Sequence, residues 1–167
     1  MTVLTTERLI LAPLSHALID ERLAGDHFQF AIADVGAITF EPNWPGDALG
    51  MFPRLRATAT DPVPDSYTAI ERATSLAVGV LGTTSRVDEN GAVEIGYSFA
   101  VTGRGFATEA VRALVAHLLA SAAIVAVTAS TAASNVAAHR VLEKNGFRQT
   151  GTATHEEDGD LLVWTHN

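Results

Sequence analysis

The segment Gly103-Arg104-Gly105-Phe106-Ala107-Thr108 has the residue types of a turn that can hold a phosphate. Its glycines let backbone amides approach a ligand with no Cβ in the way, and allow φ values that other residues avoid. A helix pattern starts at once after it. The first turn of a helix offers N–H groups without intrahelical partners and the positive end of the dipole. Together these suit a pyrophosphate, with Ala107 keeping the path narrow but open. The same residues also read as an ordinary glycine-rich corner between a strand and a helix. Two familiar phosphate loops fail on this sequence. A Walker-type loop needs Gly-x-x-x-x-Gly-Lys followed by Ser or Thr, which the chain lacks. A dinucleotide fingerprint wants a third small residue where Thr108 stands, and an acid about 20 residues on at the end of the next strand. That strand ends in Ser130-Thr131 with no acid beside it.

The elements that position this turn can be read along the chain. Arg8 to Pro13 alternates as an opening strand, and Ser15 can cap a helix through about Leu23. Of six prolines, five lie between Pro42 and Pro64. The stretch from Asp26 to Asp65 is therefore read as one or two short helices, one around Ala48 to Ala59, joined by irregular loops. Pro53 falls near a helix start or kinks it. From Tyr67 the pattern is of strands: Tyr67 to Ala73, Leu76 to Ser85 and Ala92 to Val101. Asn90-Gly91 predicts a hairpin between the last two, because both residue types tolerate positive φ.

After the phosphate-type turn, Ala107, Ala110, Val111, Leu114, Val115, Leu118 and Leu119 form one apolar helical stripe, with Glu109 and Arg112 facing away. Ile124 to Thr131 is another strand. Asn135 to Asn145 is a second helix, with Ser134 as its N-cap and Gly146 just past its end. Phe147 to Thr152 and Leu161 to Thr165 close the chain as strands, joined around Asp158-Gly159 by a loop longer than two residues. The result is an α/β (α+β) fold, a single mixed, mostly antiparallel sheet with helices on both faces, in one domain over residues 1–167.

Composition bounds the function. A chain of 167 residues with 47% apolar and 18% charged residues is globular rather than disordered. The net charge of −8 argues against a general nucleic-acid binder and is compatible with a cationic acceptor. There are no cysteines, which excludes disulfides, thiolate metal sites and a cysteine nucleophile. Met1 to Leu11 does not read as a signal peptide, and no apolar run reaches the roughly 20 residues of a membrane helix. A soluble cytoplasmic protein, monomer or homodimer, is the expectation.

Four segments, taken in order, resemble the motifs of the GNAT superfamily of N-acetyltransferases. They are Thr6-Glu7-Arg8-Leu9-Ile10-Leu11, Glu94-Ile95-Gly96-Tyr97, Gly103 through Ala110, and Asn135 through Val141-Leu142-Glu143-Lys144-Asn145-Gly146-Phe147. The set is similar to the branch that holds the ribosomal-protein N-terminal acetyltransferases. The resemblance implies a splayed sheet in which the strand ending at Val101 and the one ending near Thr131 diverge around acetyl-CoA. Backbone from Phe99 through Ala100 to Val101 would pair with the pantetheine as an added strand would. The amides of Gly103, Arg104, Gly105, Phe106, Ala107 and Thr108 would cradle the pyrophosphate, and the side chain of Asn135 would reach the coenzyme. A backbone N–H near Ala100 would face the developing oxyanion. The family usually has Gln or Arg where this chain has Thr102, a loss that Arg104 would partly offset. The acceptor would be a primary amine, either a protein N-terminus or a small molecule. A catalytically impaired coenzyme-binding sensor is the alternative, motivated by Thr102 and by Ala138, which stands where relatives commonly carry Ser.

Acetyl transfer to an amine needs something to take the amine's proton. Glu94 is the candidate. On its strand it shares a face with Gly96, Ser98 and Ala100, while Val93, Ile95, Tyr97 and Phe99 share the other. An acid beside three small residues fits a face with room for a ligand, and fits equally a solvated strand acid. His139 is a weaker candidate for a general acid. The remaining histidines show no metal-ligand spacing, so no metal is expected. Trp44 and Trp164 read as packing residues, with Trp44 also able to line a substrate pocket.

Overall fold

The computed structural model describes residues 1–167 and contains ten strands and four α-helices. In chain order these are β1 (Leu4–Thr5), β2 (Leu9–Pro13), α1 (His16–Ala24), β3 (Phe28–Ile32) and β4 (Gly36–Phe40). A 3-10 helix (Gly46–Met51) leads into α2 (Phe52–Thr58), followed by β5 (Ser66–Glu71), β6 (Leu76–Thr83) and β7 (Ala92–Phe99). Then come α3 (Phe106–Leu119), β8 (Ala126–Ala132), α4 (Val136–Lys144), β9 (Arg148–His155) and β10 (Gly159–His166). The strands form one mixed, mostly antiparallel sheet in the order β1-β2-β5-β6-β7-β8-β10-β9, with the β3–β4 hairpin attached to β6 through β4. The pairings β4–β6 and β7–β8 are parallel. No helix is long and apolar enough to cross a membrane. The fold divides into two compact units, residues 1–82 with 97–110, and residues 83–96 with 111–167.

In the first unit, Ser15 caps α1 as its residue type predicts, its Oγ accepting from Leu18 N at 3.2 Å. Leu18 and Ile19, both fully buried, join a core with Phe40, Trp44 and Phe52. Burying each such side chain stabilises by about 1.5–3 kcal/mol. Trp44 packs edge-on against Phe40 and Phe52, with ring centroids 4.6 and 5.6 Å away, and its Nε1 donates to Gly79 O at 3.2 Å. It is 0% exposed, so it is a core residue and lines no pocket.

The reading of residues 26–65 as helices and loops is half corrected. Its second half holds: the 3-10 helix and α2 occupy the expected place, with Pro53 in the first turn. Its first half is instead the β3–β4 hairpin, in register from Phe28↔Phe40 to Ile32↔Gly36. The period-2 pattern of Phe28, Phe30 and Ile32 matches Ile38 and Phe40 across the pair, and Phe28 stacks on Phe40 at 4.8 Å. The cluster of prolines that favoured loops begins only after this hairpin.

In the second unit, Trp164 is a packing residue too, donating from Nε1 to Thr131 Oγ1 at 2.9 Å. The cap of α4 is Asn135 rather than Ser134, because Asn135 keeps a non-helical backbone and its Oδ1 accepts from Ala138 N at 3.1 Å. The strands β9 and β10 run further than expected and meet across a three-residue turn, with Gly159 paired to His155. The Asn90-Gly91 turn is not a two-residue hairpin. It closes a longer connection held by Asp88, whose Oδ1 accepts from both Asn90 N (2.8 Å) and Ala92 N (2.9 Å).

Candidate active site

The phosphate-type turn lies in the first unit and has the backbone its glycines require. Gly103 and Gly105 adopt φ of +75° and +77°, values that carry a steric cost for any residue with a Cβ. A Cβ on Gly103 would meet nothing within 4 Å, so the turn is open on that side. The first i→i−4 bond of the helix runs from Glu109 N to Gly105 O at 3.1 Å. The amides of Phe106, Ala107 and Thr108 precede it. The turn therefore fits the pyrophosphate of a coenzyme.

Its surroundings were only partly legible. Glu109 does not face away from the protein, as the apolar stripe of α3 implied. Its Oε1 accepts from Thr6 Oγ1 (2.6 Å) and Arg8 N (2.8 Å), and its Oε2 from Arg8 Nε (2.8 Å). Arg8 also donates from Nη1 to Arg104 O, the carbonyl between the two glycines, at 2.7 Å. The Arg104 side chain pairs with Glu71 Oε1 at 2.7 Å. This corrects its role as a stand-in for the cation missing at Thr102, since its charge is already matched.

In both pairs the carboxylate is the more buried member. Glu109 and Glu71 side chains are 18% and 8% exposed, against 42% and 52% for Arg8 and Arg104. Both guanidiniums also sit over the ring of the buried Phe106, at 4.8 and 4.6 Å from its centroid. Burial would raise the Glu109 carboxyl, but bonds from Thr6 and Arg8 outweigh it and hold the group below the ordinary glutamate value. Glu71 is likewise lowered, first by the Thr74 hydroxyl and then by Arg104.

The strand leading into the turn has an irregular end. The amides of Ala100 and Val101 both point at Val78 O, at 2.9 and 3.3 Å, as in a β-bulge. The Ala100 N–H expected to face an oxyanion is thus engaged within the sheet. Ala100 O accepts from Asn43 Nδ2 at 3.3 Å. Close approach at this end depends on Gly79, where a Cβ would lie 2.6 Å from Phe99 Cδ1 and 2.7 Å from Ser98 O.

Glu94 and Asn135 lie in the second unit. Glu94 is half-buried on β7, opposite Thr128 in the four-pair ladder with β8 that ends at Ile95↔Ala129. Thr84 Oγ1 donates to its Oε1 at 2.8 Å and Ser130 Oγ to its Oε2 at 3.3 Å. Its backbone is held as well, by Thr84 N at 2.8 Å and Ser85 Oγ at 3.0 Å. Nothing in the sequence pattern singled out Thr84 or Ser130, because only the strand register brings them to the carboxylate. Both carboxylate oxygens are thus held in one orientation. The amide NH2 of Asn135 makes no bond in the structure, its oxygen being the α4 cap. His139 stacks on Trp164 with centroids 5.3 Å apart and places Nε2 3.1 Å from Ala132 O. A carbonyl only accepts, so that nitrogen carries the proton and holds the ring in place.

A glycine turn opening a helix, on a mixed and mostly antiparallel sheet, is the architecture against which the known families can be compared. Residues 8–148 match the model of the acetyltransferase (GNAT) domain, and the chain belongs to that family. It is a GNAT acetyltransferase, and acetyl-CoA is the acetyl donor. The uncharacterized N-acetyltransferase YjdG of Bacillus subtilis (strain 168) is 29% identical over 156 residues, 88% of this chain and 90% of that one. Among solved structures, a GNAT-family acetyltransferase from Bacillus anthracis superposes with a TM-score of 0.67 at 18% identity, covering 99% of this chain and 98% of the other. RimL, a ribosomal L7/L12 alpha-N-protein acetyltransferase in complex with coenzyme A, gives a TM-score of 0.65 at 15% identity, with 99% and 97% covered. At these identities the structural likeness concerns the fold.

Proposed function

We propose that this protein transfers the acetyl group of acetyl-CoA directly to a primary amine, with Glu94 taking the proton of the amine as the amide bond forms. The observation that carries this reading is the hold on Glu94. Two hydroxyl donors fix both carboxylate oxygens, and Gly96 and Ser98 follow it on the same face of β7. A carboxylate held in one orientation can accept a proton directly or through one water. No dedicated acid is required for the departing thiol, whose ordinary pKa is about 8.5. His139 is therefore left as a packing residue.

The coenzyme is bound by residues of this chain in named parts. The amides of Gly103 to Thr108 hold the pyrophosphate, the stretch from Phe99 to Val101 runs beside the pantetheine, and the Asn135 amide donates to the coenzyme. Open space at Gly103 supports the first of these. A net charge of −8 favours a cationic acceptor. The four motifs together, similar to the ribosomal-protein branch, favour a protein N-terminus over a small amine. The test is a thiol-release assay with acetyl-CoA against two panels, peptides with free N-termini and small amines such as polyamines and aminoglycosides. Turnover confined to peptides supports the reading in full, and turnover confined to small amines moves the acceptor. Coenzyme binding with no turnover on either panel would sink the amine-transfer reading.

A further inference from the structure

We propose that Arg8 is a positioning residue for coenzyme binding, a clamp on the phosphate turn supplied from the opposite end of the sequence. The inference rests on the coenzyme reading of Gly103 to Thr108. One guanidinium spans the turn and the helix it starts. Nε is bonded to Glu109 on the first turn of α3, and Nη1 to Arg104 O at the centre of the Gly-Arg-Gly turn, at 2.8 and 2.7 Å. Nη2 lies 3.3 Å from where a Cβ on Gly105 would be. The Arg104 carbonyl is flanked by two residues at positive φ. Glycines rotate freely, so a turn built on two of them needs an outside restraint to keep its amides aligned.

The restraint is itself anchored. Arg8 O accepts from Arg72 N at 2.9 Å, and Arg72 Nη1 donates to Thr6 O and Glu7 O at 3.1 and 3.0 Å. Arg104 meanwhile is drawn to Glu71, which leaves its main-chain carbonyl to Arg8. Arginine is suited to this task because its planar fork serves both acceptors at once, which the single ammonium of lysine does not reproduce.

The test is calorimetric binding of coenzyme A, and of pantetheine as a probe lacking the pyrophosphate, to wild type, Arg8→Lys and Arg8→Gln. Lysine keeps the positive charge beside Glu109, so the unliganded R8K protein should melt near wild type. Its dissociation constant for coenzyme A should rise about tenfold, the scale of one lost charged hydrogen bond. Pantetheine binding and kcat at saturating coenzyme should stay within about twofold, a change worth only about 0.4 kcal/mol. R8Q, which can bond but carries no charge, should show at least the same loss.

Wild type that binds coenzyme A beside an R8K that binds it equally well overturns the role of Arg8 alone. Equal losses for coenzyme A and pantetheine, or a fall in kcat matching that in kcat/KM, overturn it too. Wild type that fails to bind coenzyme A overturns both this inference and the reading beneath it.

Discussion

Replacing Glu94 with Gln tests the chemistry with little disturbance of the fold. The amide has the shape of the carboxylate it replaces. Its oxygen can still accept from Thr84 Oγ1, 2.8 Å away in the native structure. Its NH2 can donate to Ser130 Oγ, since a hydroxyl both donates and accepts. The stability cost should therefore stay near 1 kcal/mol, the scale of weakening one hydrogen bond, or about 2–4 °C in melting midpoint for a chain of this size. Loss of the proton acceptor is much larger. General-base catalysis contributes about 10²–10⁴-fold, which is about 2.7–5.5 kcal/mol of barrier. Initial rates at saturating acetyl-CoA and amine should fall at least about 100-fold in E94Q, while the dissociation constant for coenzyme A stays within about twofold. A protein that keeps more than about a third of wild-type kcat would show that Glu94 is only a buttressed strand acid. Thr84→Val should give a smaller fall in kcat at unchanged coenzyme affinity, because one of the two donors remains.

Three further outcomes follow from particular contacts. Asn135→Ala removes the cap of α4 and should cost about 1 kcal/mol, read as a drop in melting midpoint. Asn135→Asp keeps an acceptor for Ala138 N and should recover that loss. An N135D protein with wild-type coenzyme affinity would remove Asn135 from the coenzyme site. Gly79→Ala drives a methyl against the Phe99 ring and Ser98 O, both within 2.7 Å. Overpacking of this kind costs about 1–3 kcal/mol, and the rigid carbonyl puts it at the upper end in urea denaturation; an unchanged midpoint would mean that β6 and β7 shift apart freely. The lowered Glu109 and Glu71 carboxyls add stability that is complete above the ordinary glutamate value and is lost as pH falls through their lower folded values. Acid titrations of stability should therefore be shallower in Glu109→Gln than in wild type below the ordinary glutamate range.

The parts that were legible in the sequence are those fixed by local chemistry. Ser15 and Gly146 mark helix ends through one bond or one backbone angle each, and the apolar stripe of α3 follows from a 3.6-residue period. The β3–β4 hairpin was also locally encoded, in Phe28, Phe30 and Ile32, but nearby prolines outweighed a strand pattern only five residues long. What could not be read were contacts set by register. Ser130 reaches Glu94 only because Ile95 pairs with Ala129 and Glu94 with Thr128. Glu109 looked like a solvent-facing helix residue because its partners, Thr6 and Arg8, stand more than a hundred residues earlier. That contact also gives a physical account of why the Thr-Glu-Arg opening and the Gly-rich turn occur together in one chain: each supplies half of one hydrogen-bond network.

The three carboxylates described above divide by the company they keep. Glu71 and Glu109 each face an arginine, and a hydroxyl donor first, then the bonds and charge of that arginine, hold them below the ordinary value. A carboxylate in that state gives up its negative charge reluctantly and is a poor proton acceptor at neutral pH. Their work is to order backbone, and both are attached to the turn that would carry phosphate. Glu94 has two hydroxyls as its side-chain partners, which orient its oxygens without adding a positive charge beside them. On the proposed reading, Glu94 is the one of the three that takes the proton of the amine. A guanidinium introduced next to it, for example by Ser130→Arg, would be expected to convert it into a carboxylate of the structural kind.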